Sequence, residues 1–318
     1  MNTKSKKNVI AGLLLLVCMI ACIAIATAIM PTVVYAESAS PYLQVTCGSI
    51  DKSGAGWTWD TDESYNGTLT LNGYDGEEIA IGGVDNGKVD IVLVGDNKIT
   101  VTAPYGNRAI YTYNVSTLTF KGNGSLTIDY QVVASNKVSM HGILMEGESS
   151  SKNNGNLTFD ESCTVTVKVY GEVAEKNGSV DAIYMMTNDI YSGNVTVGEN
   201  ATLNIDLECD SDSQTYGIFA KGNVALNGTV DIKMEYTGSG AASNTWKDVF
   251  TYASYTTCSI GTNAKITSVC PGSSGSSLTA FPLVANGAEM ISSWTKVLTS
   301  EQYFENDDCL VHVWDKCA

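Results

Sequence analysis

With 318 residues, 18 basic against 34 acidic side chains and a formal net charge of −16, the chain has room for one large body or two ordinary domains and is too acidic to hold nucleic acid by counterion release. Arginine occurs once, as Arg108, which all but excludes sites built on forked guanidinium recognition of carboxylate or phosphate. Thirty glycines against five prolines describe many short strands joined by tight turns.

At the start, Lys4, Lys6 and Lys7 precede an apolar run from Val9 to Met30, followed by Pro31 and the small residue Ala36. This is the pattern of a secretory signal over residues 1–36, with cleavage expected after Ala36. The run is about 20 residues long, so retention as a membrane anchor is the alternative. Removal leaves 15 basic against 34 acidic residues, a net charge of −19, and predicts a secreted or cell-surface protein without further membrane contact. Seven cysteines remain, Cys47, Cys163, Cys209, Cys258, Cys270, Cys309 and Cys317, an odd number that leaves at least one thiol unpaired within the chain. Cys258 with Cys270 and Cys309 with Cys317 are near in sequence, and no spacing resembles a zinc site.

Residues 37–76 are expected to form an N-terminal cap. Trp57 and Trp59 lie two apart and so share one face of a strand, and LTLNGY from Leu69 resembles the strands that follow. From 77 to 270 a trio of short apolar runs recurs. Its first members begin at Ala80, Ala109, Gly142, Ala182, Gly217 and Val249, at intervals of 29, 33, 40, 35 and 32 residues, which is the signature of a repeat array. The clearest copy is AIYMMTNDIYSGNVTVGENATLNID from Ala182.

Second and third strands start eight residues apart in most copies, as at Leu118 and Leu126, leaving no room for a helix. Leu118, Phe120, Leu157, Phe159, Leu126, Ile128, Val165 and Val167 alternate with Thr119, Thr158, Thr127 and Thr166, so apolar side chains point in and hydroxyls out. Stacked in register, like residues form ladders about 4.8 Å apart. The expected fold is all-β, a right-handed parallel β-helix with three strands per coil and about six to seven coils. A β-propeller has similar periods but needs four antiparallel strands per blade. Residues 271–318 read as a final coil and cap, with one helical turn at TSEQYFEN and a closing strand at CLVHVW.

No catalytic residue is assigned. A lyase would need a base beside calcium-binding carboxylates, and only Arg108, at the lip of a first strand, offers itself. A glycosidase needs two carboxylates about 5 to 9.5 Å apart, yet outward carboxylates on third strands are sparse, Asp231 being the best placed. Asn306, Asp307 and Asp308 read as a solvated turn. His141 and His312 lack a serine or cysteine partner at a definable spacing and read as structural. Asp206, Glu208, Asp210 and Asp212 alternate along one segment, which puts hard oxygen ligands on one side and points to calcium. The loop starting at Asp210 departs from a helix-loop-helix calcium site, with Thr215 at its sixth position and Lys221 at its twelfth.

With Ile110, Ile143, Ile183 and Ile218 inward, Tyr111, Leu144, Tyr184 and Phe219 point outward one above another, with Tyr113 and Met186 beside them. Such a stripe meets the apolar faces of sugar rings, so Tyr111, Tyr113, Tyr184 and Phe219 are the expected ligand-binding residues. The opposite phase, or a covering loop, would bury them.

Through LTLNGY, VLVGDNKIT, LTFKGNGSLTI and GWTWD the chain resembles secreted proteins of Gram-positive, often clostridial, bacteria described as carbohydrate-binding-domain proteins of pectate-lyase-like β-helix fold. The likeness spans about Tyr42 to Val269 and lies in turn and strand signatures. It implies calcium-assisted, non-catalytic binding of plant cell-wall polysaccharide, acidic pectic chains among them. No position matches a catalytic residue of the lyases. The expected function is therefore a non-catalytic glycan-binding protein, with a polysaccharide lyase or hydrolase, or an adhesive surface repeat, as alternatives.

Overall fold

From Asp75 to Pro271, every third strand among the described residues falls in the same sheet. The computed structural model describes residues 42–84, 87–102, 108–134, 139–147, 155–173, 179–186, 193–209, 215–237, 246–251, 257–260, 264–271, 289–290, 296–304 and 309–316. All of these belong to the unit Pro41–Ala318; the other unit, Met1–Ser40, which holds the expected signal, lies outside the described residues. The first sheet runs Leu43–Thr46, Ile79–Gly82, Arg108–Tyr113, Met140–Glu146, Val180–Met186, Thr215–Ala220 and Trp246–Thr251 in spatial order. The second runs from Lys52–Gly54, Trp57–Thr61 and Gly67–Asn72 through Lys88–Val94, Thr117–Gly122, Asn156–Phe159, Val195–Val197 and Val224–Leu226 to Thr257–Ile260 and Glu289–Met290. The third begins at Asp75–Gly76 and Asp96–Val101 and continues through Ser125–Ala134, Thr164–Val173, Thr202–Cys209, Thr229–Tyr236 and Ala264–Pro271.

Pairing between successive turns is parallel, as between Thr117–Gly122 and Asn156–Phe159. Antiparallel strands occur at the two ends, where Trp57–Thr61 joins Gly67–Asn72 and Cys309–Lys316 joins Ala264–Pro271. The described residues contain no helix, and the protein is an all-β solenoid of β-helix type. Residues 37–76, expected as a cap, supply strands to all three sheets. Of the expected helical turn at TSEQYFEN, Thr299–Phe304 belong instead to the strand Lys296–Phe304, and Glu305 and Asn306 lie outside the described residues. The strand's backbone groups find partners in Cys309–Lys316, and Thr299, Tyr303 and Phe304 suit a pleated surface better than a helix.

The core follows from the alternation. In the second sheet Leu118, Leu157, Val195 and Val224 are register partners, as are Phe120, Phe159, Val197 and Leu226, and all are buried. Ile79, Ile110, Ile143, Ile183, Ile218 and Val249 form the matching row of the first sheet. Each such side chain contributes about 1.5–3 kcal/mol on burial. Corners are tied by side-chain amides: Asn194 Nδ2 donates to Asn156 Oδ1 at 2.7 Å, and Asn194 Oδ1 accepts the Asn223 N–H at 2.7 Å. These bonds satisfy groups that leave one strand before the next ladder begins. Trp59 is fully buried beside Gly67, where an added Cβ would lie 1.9 Å from its Cη2.

Asn97, Thr112 and Thr215 are polar side chains at inward strand positions and break the apolar pattern. Thr112 stands between Ile81 and Met145, is 0% exposed, and its Oγ1 has no hydrogen-bond partner. A buried polar group left unpaired costs about 1–3 kcal/mol. Thr112→Val is therefore expected to raise stability by about 1 kcal/mol, read as a higher urea midpoint at unchanged slope. A lower midpoint would show that the hydroxyl does have a partner.

Candidate functional site

The first sheet differs from the other two because two successive residues enter the core where the strand begins. Ala109 with Ile110, and Ala182 with Ile183, are fully buried in it, and the register passes over the first of each pair. Gly142 holds the same place between them. A Cβ there would lie 2.4 Å from Val167 Cγ1 and 2.7 Å from the Ala182 carbonyl oxygen, so this coil has no room for the alanine its neighbours carry. The break leaves Arg108, His141, Asp181 and Tyr216 as one row of register partners outside the core. A second row is Gln44, Ala80, Tyr111, Leu144, Tyr184 and Phe219, and a third is Thr46, Gly82, Tyr113, Glu146 and Met186.

At the N-terminal end these rows open a cleft of about 270 Å³ lined by Gln44, Ala80, Ile81, Gly82, Tyr111 and Tyr113. Ala80 and Gly82 put almost no side chain where the next strand carries Tyr111 and Tyr113, and the missing volume is the hollow. Tyr111 is held firmly. Its hydroxyl donates to Glu146 Oε2 at 2.6 Å, and the Arg108 guanidinium carbon lies 3.7 Å from its ring centroid. Arg108 Nε in turn donates to Glu78 Oε1 at 3.2 Å. Burial first, and then the Glu146 carboxylate, push the Tyr111 phenol far above its ordinary range. Tyr113, beside it, is 39% exposed.

Farther along, the stripe closes on itself. Tyr184 stacks on Phe219 with centroids 4.5 Å apart and planes 16° from parallel, and Tyr216 meets Phe219 at 5.1 Å. Leu144 is 2% exposed and Phe219 6%. Of the four expected ligand-binding residues, Tyr111 and Tyr113 wall the cleft, while Tyr184 and Phe219 spend their faces on each other. Among the described side chains the stripe is open at its Tyr111 and Tyr113 end.

Next to that stack lies a buried histidine–aspartate contact. His141 Nδ1 approaches Asp181 Oδ2 at 3.0 Å, out of line for a well-directed hydrogen bond, and the imidazole rests against Tyr184 at 5.0 Å. Asp181 is completely buried, and its Oδ1 accepts the Tyr216 N–H at 3.0 Å. Burial raises its carboxyl above the usual range, opposed by the His141 contact and by a Ser179 hydrogen bond. In a hydrolytic triad the histidine bridges serine and acid; here the acid stands between histidine and serine, an arrangement that anchors strands. Asp181 was missed from sequence although the signal was present, since His141 and Asp181 each precede an aligned isoleucine, Ile143 and Ile183, by two residues.

The acidic segment lies on the third sheet. Asp206 and Glu208 share its outer face, and Asp210 and Asp212 lie outside the described residues. Lys233 Nζ sits 3.7 Å from Asp206 Oδ1, 3.7 Å from Glu208 Oε1 and 3.1 Å from Glu235 Oε2. Tyr170 donates its hydroxyl to Asp206 Oδ2 at 3.2 Å. Asp129, Lys168, Asp206 and Lys233 alternate in sign across four strands, so opposite charges are neighbours throughout. Among the described residues no three acidic, histidine or cysteine groups converge as metal ligands. A lysine is the positive partner of the two described carboxylates, and these two alone do not fit a calcium site.

Cys47 and Cys163 are buried thiols pushed up to about 11 by burial, which leaves them unreactive near neutrality. Cys209 is buried as well, its Sγ 3.8 Å from the Thr215 hydroxyl oxygen; the side chains of Cys258, Cys270, Cys309 and Cys317 lie outside the described ones. Tyr74, Tyr170 and Tyr216 are each pushed from 10.0 up to about 12, chiefly by burial. Below pH 10.0 both folded and unfolded chains keep these protons, so the three phenols contribute no pH dependence. Between 10.0 and about 12 the unfolded chain releases protons that the folded one holds, and stability falls as pH rises. The urea midpoint is therefore expected to drop across that interval, and the drop should lessen when Tyr74, Tyr170 and Tyr216 are replaced by phenylalanine. A midpoint unchanged between those pH values would count against it.

The features together define a class: an all-β solenoid of parallel strands with an aromatic-walled cleft on one outer face. Comparison with protein-family models, with curated proteins and with solved structures found no match to this chain. Among the described residues no helix is long and apolar enough to cross a membrane.

Proposed function

We propose that the protein is a secreted or cell-surface glycan-binding solenoid that holds its ligand without transforming it. The observation that carries this is the cleft, where Tyr111 and Tyr113 rise beside the nearly bare positions Ala80 and Gly82. An apolar hollow with an aromatic wall and a polar group, here Gln44, suits the flat face and hydroxyl rim of a sugar ring. The two carboxylates nearest the wall are engaged, Glu78 by Arg108 and Glu146 by the Tyr111 hydroxyl, which favours holding over acid–base work. In this reading the solenoid is a right-handed β-helix of about six to seven coils, and its antiparallel end strands are caps. Of the four acidic residues expected to hold calcium, Asp206 and Glu208 lie beside Lys233, and Asp210 and Asp212 lie outside the described residues.

The test is affinity electrophoresis through a panel of soluble polysaccharides, with Tyr113→Ala beside the parent chain. Retardation by at least one glycan is expected, weakened about tenfold in the variant, because an exposed aromatic contact is the usual centre of such binding energy. Tyr113 lies outside the core, so thermal unfolding should stay unchanged. Shortened or unsaturated products in the same mixtures would overturn the non-catalytic reading, and no retardation would overturn glycan binding.

A further inference from the structure

We infer, resting on the glycan-binding reading above, that the sugar taken by the cleft carries a free, positively charged amino group rather than a uronate carboxylate. The wall of the cleft is two electron-rich rings with one carboxylate behind them. Glu146 Oε2 accepts the Tyr111 hydroxyl at 2.6 Å, and the strand register sets Glu146 directly beside Tyr113. Among the described residues no lysine, arginine or histidine forms an ion pair with Glu146. Among the described residues its charge is therefore met by a neutral hydroxyl alone. A tyrosine face next to a carboxylate that has a neutral hydrogen-bond donor but no cationic partner among the described residues is the combination that attracts an ammonium group.

Arg108 supports the same conclusion in two ways. As the chain's single arginine, it is the natural anion reader near the cleft, yet its Nε is committed to Glu78 at 3.2 Å. Its guanidinium also lies 3.7 Å from the Tyr111 ring centroid, so this wall already accepts a cation against an aromatic face. Counting Glu78, Glu146 and Arg108, the surroundings carry one net negative charge, and the whole chain carries −16. A uronate meets repulsion at both ranges, whereas a protonated amine is drawn in.

The experiment compares three oligosaccharides of equal length with the full chain: glucosamine oligomers, their fully N-acetylated counterparts, and oligogalacturonate, titrated calorimetrically at pH 6. Glu146→Gln removes the charge while leaving an acceptor for the Tyr111 hydroxyl. The parent is expected to bind the free-amine oligomer about tenfold more tightly than the acetylated one. This preference should shrink with added salt and vanish in Glu146→Gln, with affinity for the acetylated oligomer unchanged. Tyr111→Phe, which releases Glu146 from its hydroxyl, should keep the preference and shows whether the carboxylate alone suffices. Equal affinities, or tighter binding of the uronate, overturn the inference while glycan binding stands. Retention of none of the three, nor of any glycan in the electrophoresis panel, overturns both.

Discussion

Replacing His141 by alanine is expected to destabilise the protein by roughly 3–5 kcal/mol near neutral pH, the usual cost of taking the partner from a buried carboxylate. Asp181 is completely buried, and its contacts are His141 Nδ1 at 3.0 Å, the Tyr216 N–H at 3.0 Å and Ser179. Burial already lifts its carboxyl, and His141 is the foremost group drawing it back down. Without the imidazole the carboxyl rises further above its ordinary 3.8. The folded chain then binds a proton that the unfolded chain has given up, so stability declines as pH rises through that interval. The cost of His141→Ala should accordingly shrink as the solution is acidified and Asp181 becomes neutral. Asp181→Asn, which keeps an acceptor for the Tyr216 N–H, should cost less, and the double variant should recover part of the loss. Urea unfolding of the four proteins at several pH values reads all of this. A His141→Ala penalty equal at every pH would mean that Asp181 is not the group left unpaired.

That pair also marks how far the fold and the site were legible in the sequence. The repeat intervals and the alternation around Thr119, Thr158 and Thr127 led to the three sheets, because a buried row tolerates few departures and each copy repeats the constraint. The alignment that set Ile110, Ile143 and Ile183 together also sets Arg108, His141, Asp181 and Tyr216 together. Judging His141 by its neighbours along the chain concealed a partner 40 residues away that is adjacent in the ladder. Lys233 was overlooked for the same reason, since its alignment with Asp206 appears only when the coils are stacked. Other features were harder to read. The cleft owes its volume to what Ala80 and Gly82 lack, in a copy too faint to weigh, and Phe219 is buried partly by Tyr184 and Tyr216 from its own and the preceding strand. The strand at Lys296–Phe304 depends on a partner, Cys309–Lys316, that local propensity does not reveal.

Phe159→Ala should produce a loss of comparable size, roughly 3–5 kcal/mol, through a different route. Phe159 and Phe120 are fully buried register partners whose rings stack 5.2 Å apart and 9° from parallel. Truncation removes the transfer energy of one ring and leaves a void that a rigid ladder on either side cannot close. A cycle with Phe120→Ala is expected to show a coupling of about 0.5–1.5 kcal/mol, the contribution of the stack beyond the area it buries. Ile91 and Val197 continue the row above and below, so Phe159→Leu, which fills most of the void, should cost far less. In a solenoid each coil touches only its neighbours, and damage should spread by nearest-neighbour coupling. Hydrogen exchange should therefore lose protection first in Thr117–Gly122, Asn156–Phe159 and Val195–Val197, while Leu43–Thr46 at the far end of the first sheet keeps most of its own. An equal loss at every strand would show that the coils unfold as one indivisible unit, and the repeats would then describe the geometry of the protein without describing its energetics.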